Sequence, residues 1–211
     1  MKLTQHLIAK LPLLLILALS ILFITPAQAQ AMPGPQDVVK QAVDSMTAKL
    51  QANRATYEAD DQALYDMLEE TLLPVLHVPR MADLILGKET SKSVSEQQKS
   101  AFIEEFKTFL LQSYASGLLN ATGEEQVVYE PATLAPGEDK VKVKAKLVSA
   151  SGEEFPITLS MSNRRDTRWR AYNLDIAGID FIRTYRSSFS LTLKEKGIDG
   201  LIKDLRGKNV R

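Results

Sequence analysis

Few residues in this chain have the means to do covalent or acid–base chemistry. There are two histidines, His6 and His77, and no cysteine. Without cysteine there is no Cys–His pair and no plausible zinc ligand set, and a Ser–His–Asp triad has room only around His77. His77 stands between Pro74 and Pro79, a context that suits a loop or a helix start better than a general base. The acidic pairs Asp60-Asp61, Glu69-Glu70, Glu104-Glu105, Glu124-Glu125 and Glu153-Glu154 are sequence neighbours. On a helix or strand their carboxylates diverge, so they read as solvated surface. Asp175 with a tyrosine such as Tyr114 or Tyr185 could act as base and oxyanion donor in an apolar pocket. Against that, Asp175 alternates away from Tyr172, Leu174 and Ile176, as an exposed strand residue does. No G-x-S-x-G, phosphate-binding glycine loop or calcium loop is present.

The elements that would carry these residues change character once along the chain. Pro33-Gly34-Pro35 is a short linker, and from Gln36 to Asn120 the apolar spacing is helical. Val39, Val43, Met46 and Leu50 form one stripe, and Leu64, Met67, Leu68, Leu72 and Leu73 a second that Pro74 ends or kinks. Met81, Leu84 and Ile85, closed by Gly87, predict a short third helix. Ser95 is the N-cap expected for a long fourth helix, with Phe102, Phe106, Phe109, Leu110, Tyr114 and Leu118 on its buried side.

From Glu125 the period becomes two. Val141, Val143, Ala145 and Leu147 alternate with Lys142, Lys144 and Lys146, giving a strand with one face on a core and a solvated basic face that would also protect a sheet edge. Phe155, Ile157, Leu159 and Met161 alternate likewise, as do Tyr172, Leu174 and Ile176, and Val127 to Tyr129 predicts a fourth strand. Ala177-Gly178 breaks the strand before it, and Asp180 caps a helix with Ile182, Tyr185 and Phe189 on one face. Gly197 ends that helix, and Ile198, Leu201, Ile202 and Leu205 supply a last amphipathic turn or two. Helices followed by consecutive strands predict an α+β fold, with helices packed on one face of a mostly antiparallel, roughly four-stranded sheet.

The N-terminus reads as a secretory signal. Lys2 and Lys10 precede an uncharged run from Leu13 to Ile24, followed by Ala27-Gln28-Ala29, the small-x-small pattern of a cleavage site. The run is too short for a bilayer, which takes roughly 20 apolar residues. Residues 1–29 are therefore expected to be removed, leaving residues 30–211 as a single domain that is large enough for a core without disulfides. After removal of Lys2 and Lys10, acidic side chains slightly outnumber basic ones. That balance argues against nucleic acid as the partner.

Periodicity leaves open whether the apolar interior is an ordinary filled core or a ligand cavity. Three segments bear on this choice: "LLPVLHVPRMADLILGK", "SEQQKSAFIEEFKTFLLQSYASGLL" and "WRAYNLDIAGIDFIRTYRSSF", with the ending "KGIDGLIKDL". In this order and spacing they resemble the MlaC or toluene-tolerance family of periplasmic phospholipid-binding proteins. The chain departs from common family residues at His77, Glu89-Thr90, Asn173 and Asp180. Glu89-Thr90 stands where an aromatic pair is frequent, so that corner of a pocket would be lined differently.

The resemblance implies a nuclear transport factor 2-like fold and a periplasmic carrier. The carrier would shuttle a phospholipid between an outer-membrane lipoprotein–porin complex and an inner-membrane ABC transporter with its MCE-domain subunit. It implies no catalytic residue, metal or cofactor; the bound phospholipid is cargo. The implied lipid-tail pocket is lined by Leu76, Met81, Leu84, Ile85, Phe106, Leu110, Tyr114 and Leu118 from the helices and by Val143, Leu159, Met161, Tyr172 and Leu174 from the sheet. Ile182, Tyr185 and Phe189 complete it from the last helix. Two alternatives stand beside it: an enzyme with an apolar pocket on the same fold, and a solid-core periplasmic interaction protein.

Overall fold

The computed structural model describes residues 32–120, 124–164 and 168–209. The expected signal segment and its cleavage site lie outside them. Helix α1 (Pro35–Ala59) begins with proline in its first turn and is irregular at Asn53 (φ −129°, ψ 23°). The Asp60 carboxylate then accepts from the backbone of Gln62 and Ala63 and starts α2 (Asp61–Leu72). Pro74 ends α2 in a 3-10 turn, Leu73–Val75. Helix α3 (Val78–Leu86) is capped by His77, whose Nδ1 accepts from the Arg80 N–H at 3.3 Å.

Gly87, at φ 78°, closes α3 and leads into a six-residue helix that the spacing did not predict, α4 (Lys88–Ser93). Ser95 and Gln98 form a capping box at the start of α5 (Glu96–Leu119). Strands β1 (Gln126–Tyr129), β2 (Lys140–Val148), β3 (Glu154–Ser162), β4 (Arg170–Ile176) and β5 (Ile179–Asp180) follow. They form one antiparallel sheet in chain order. Helix α6 (Phe181–Asn209) is broken at Gly197, where φ is 66°.

The fifth strand arises at the expected break. Ala177 (φ 51°) and Gly178 (φ 82°) are the two central residues of a hairpin turn that pairs Ile176 with Ile179, and positive φ at both positions matches the twist of the flanking strands. Asp180 caps α6 as expected, its carboxylate accepting from the Arg183 N–H at 2.8 Å.

Strand register places Val141, Val143, Ala145 and Leu147 of β2 beside Met161, Leu159, Ile157 and Phe155 of β3 on the helix-facing side. The lysines of β2 occupy the other side. They do not guard a sheet edge, because β2 is paired on both sides, and Lys146 is held by Glu154 at 2.7 Å.

The alternation of β4 slips. Ser160 pairs with Asn173 and Met161 with Ala171, so Tyr172 is an extra residue and the strand bulges. Ala171 takes the inward position expected of Tyr172. The free edge of β4 at this point is used by the chain entering α3: Leu76 bridges Ala171, and the His77 N–H donates to the Ala171 carbonyl at 2.8 Å.

Buried side chains gather into three groups rather than one interior. The largest lies between helices and contains Met81, Ile85, Phe102, Phe106, Ile182, Tyr185, Phe189 and, from beyond Gly197, Ile198, Leu201, Ile202 and Leu205. The second joins α1, α2 and α5 through Leu50, Tyr57, Leu64, Met67, Leu68 and Ala115. The third joins the start of α1 to the sheet through Val39, Val143, Met161, Trp169 and Ala171. One apolar stripe on α1 thus serves two groups.

Candidate functional site

The helical group is a dense aromatic assembly. Phe106 is fully buried, stacks on Phe102 at 5.6 Å, and meets the edges of Tyr185 at 5.2 Å and Phe189 at 5.9 Å. Such pairs add about 0.5–1.5 kcal/mol each beyond the burial of their area. Arg186 Nε donates to the Leu84 carbonyl at 2.9 Å and ties α6 to the end of α3.

Nine of the sixteen residues expected to line a pocket belong to this group. Met81, Ile85, Phe106, Ile182, Tyr185 and Phe189 are buried in it, and Leu76, Leu84 and Leu110 pack against it. Leu118 packs with the α1–α2 group. Val143 and Met161 are buried in the sheet group, and Leu159 packs on them.

Two expected residues are placed differently. Tyr114 is 52% exposed, not on the buried side of its helix; it reaches inward only through its hydroxyl, 2.9 Å from that of Tyr185. Tyr172 is turned by the bulge to the outer face, where the Arg80 guanidinium lies 3.7 Å from its ring centroid and a groove of about 410 Å³ runs past Thr133, Lys140, Lys142 and Ser160. The corner at Glu89-Thr90 contributes no buried side chain.

The helix-facing side of the sheet is not covered evenly. At the end nearest Ala171 it is closed by Val38, Val39, Val43 and Leu76. Toward the other end Leu147, Phe155, Ile157 and Leu174 are only half-buried, Ile176 is exposed, and none of the five packs against any of the three buried groups among the described residues. Register brings them together, with Ile157 between Ala145 and Ile176, Leu147 beside Phe155, and Leu174 beside Leu159. Apart from Leu174, the expected pocket omitted these residues, although the same two-residue alternation marks them.

Asp175 Oδ1 accepts from the Gly178 N–H at 3.0 Å and holds the hairpin turn. The Tyr129 hydroxyl, on the helix-facing side of β1 opposite Ala145, is buried without a hydrogen-bond partner among the described residues. Burial first, and the nearby Asp44 carboxylate second, raise its pKa. No group of residues able to hold a metal ion occurs among the described residues. The arrangement offers apolar surface on one side of a sheet, facing helices, with little hydrogen-bonding capacity.

The amino-acid pattern has relatives with the same extent. Residues 40–207 match the family described as MlaC protein. The chain belongs to the MlaC family. This MlaC-family chain is 27% identical over 174 residues to the toluene tolerance protein ttg2D of Pseudomonas putida, a match that covers 82% of this chain and 80% of that one. Its fold is similar to that of a phospholipid-binding protein from Ralstonia solanacearum solved in complex with a phospholipid. The TM-score is 0.76 at 22% identity, over 84% of this chain and 98% of that one. At that identity the likeness is one of fold.

Proposed function

We propose that this MlaC-family chain is a phospholipid carrier. The observation that carries the reading is the incompletely covered end of the sheet, where the half-buried Leu147, Phe155, Ile157 and Leu174 and the exposed Ile176 present apolar surface on the side that faces the helices. A diacyl lipid exposes roughly 30 methylene groups, whose hydration costs on the order of 24 kcal/mol at about 0.8 kcal/mol each. Moving such a molecule through water needs apolar cover for the tails and an opening for the head group, and no bond need be made or broken. The phospholipid bound to the similar Ralstonia solanacearum protein supports the same cargo.

In this reading residues 1–29 direct export and are removed, and residues 30–211 act in the periplasm as one lipid-binding domain. No helix among the described residues is long and apolar enough to cross a membrane. The carrier shuttles its lipid between an outer-membrane lipoprotein–porin complex and an inner-membrane ABC transporter with its MCE-domain subunit, maintaining outer-membrane lipid asymmetry. The tails contact the sheet end and, of the expected pocket residues outside it, Leu159, which pairs with Leu174 in the register. Native mass spectrometry of protein from its own periplasm, followed by organic extraction, tests the reading. Phospholipid at close to one molecule per protein supports it; protein free of phospholipid overturns it.

A further inference from the structure

The tip of the β4–β5 hairpin, Ile176-Ala177-Gly178-Ile179, contains no polar side chain. Ile179 is 67% exposed and Ile176 42%, and the two pair directly across the hairpin. Single exposed isoleucines are ordinary on a protein surface. A cross-strand pair on a fixed turn is a small aliphatic wedge.

The turn carries no free peptide donor at its centre. The Ala177 N–H donates to the Pro156 carbonyl at 2.8 Å and the Gly178 N–H to Asp175 Oδ1 at 3.0 Å. The Asp180 carboxylate is likewise engaged, accepting from the Arg183 N–H at 2.8 Å and from Asn173 Nδ2 at 2.7 Å. Backbone that enters hydrocarbon must have its polar groups satisfied internally, and these two N–H groups are. Behind the tip, on the first turn of α6, Arg183 is exposed, at a place suited to the phosphate layer above a buried apolar tip.

The position of the wedge ties it to the cargo. Because β3 starts at Glu154 and β4 returns antiparallel to it, the tip lies at the end of the sheet that holds the incompletely covered residues, and Ile176 is itself one of them, opposite Ile157. Protein-binding hot spots favour Trp, Tyr and Arg anchors. An aliphatic, donor-free tip fits a lipid surface better.

We infer that the Ile176–Ile179 hairpin tip is a membrane-touching surface, inserted into the head-group boundary of a phospholipid bilayer while lipid moves on or off the sheet end beside it. The inference rests on the carrier reading for its purpose, though not for its test. The probe is vesicles of phosphatidylethanolamine and phosphatidylglycerol without protein, added to the protein in the form that accumulates in the cell. Ile179→Trp should show a blue-shifted emission on vesicle addition beyond the contribution of the buried Trp169, and Ile179→Asp should co-sediment with vesicles at least fivefold less than the unsubstituted protein. Ile179→Asp should keep its thermal midpoint, since the side chain is exposed. Equal co-sedimentation of Ile179→Asp and unsubstituted protein, no emission shift, or a defect that appears only when a membrane protein partner is supplied would each overturn the inference. Phosphate extracted from the purified protein separates the two readings: phospholipid present with a silent tip removes only the membrane contact, while a vesicle-binding protein without phospholipid removes only the carrier.

Discussion

The hydroxyls of Tyr114 on α5 and Tyr185 on α6 lie 2.9 Å apart and join the two helices at the edge of the aromatic group. Burial first, and the hydrogen bond to Tyr114 second, raise the pKa of Tyr185 far above the ordinary tyrosine value. The folded chain therefore holds this proton more tightly than the unfolded chain. Its contribution to stability is intact below about pH 10 and is lost as pH rises through the folded-state value. Thermal midpoints from about pH 8 to about pH 11 should fall less steeply for Tyr185→Phe than for the unsubstituted protein. Equal slopes would show that the native ionisation of Tyr185 is unperturbed.

Phe106 is fully buried among five aromatic neighbours, Phe102, Phe109, Phe181, Tyr185 and Phe189. Phe106→Ala should cost about 3–5 kcal/mol in denaturant unfolding, the range for truncating a buried aromatic residue. A cost below about 1 kcal/mol would mean the site collapses around the missing ring.

Enlarging a side chain separates filled core from ligand surface. Leu110 packs against the helical group, so Leu110→Trp should lose about 1–3 kcal/mol of stability. Ile157 packs on none of the buried groups among the described residues, and Ile157→Trp in delipidated protein should keep its midpoint while phosphate per protein falls severalfold. Undiminished phosphate in Ile157→Trp would remove that end of the sheet from the lipid site.

Asp180 caps α6 and also accepts from Asn173 Nδ2, while Asn173 Oδ1 accepts from the backbone N–H groups of Leu174 and Ile182. Asp180→Ala should lose about 0.5–2 kcal/mol and Asp180→Ser less, because serine keeps the cap and gives up only the link to Asn173. Equal losses in the two variants would place the stabilisation in that link.

The amino-acid order alone determined the longer helices, the four longer strands and several helix starts, but not α4 or β5. Ser95, Asp180 and His77 each cap the helix they precede, since a short side-chain acceptor before an apolar stripe satisfies local backbone donors whatever the rest of the chain does. The family was legible for the same reason, in contiguous segments. Which apolar face meets which was decided by the tertiary structure. Val39 and Leu50 share one stripe on α1 yet enter different groups, and Leu110 faces helices rather than the sheet. Periodicity records that a face is apolar and carries no information on its partner. Tyr172 shows the second limit: one inserted residue in β4, where the edge is taken by Leu76 and His77 from far along the chain, moves its ring across the sheet, because side chains alternate with a period of two.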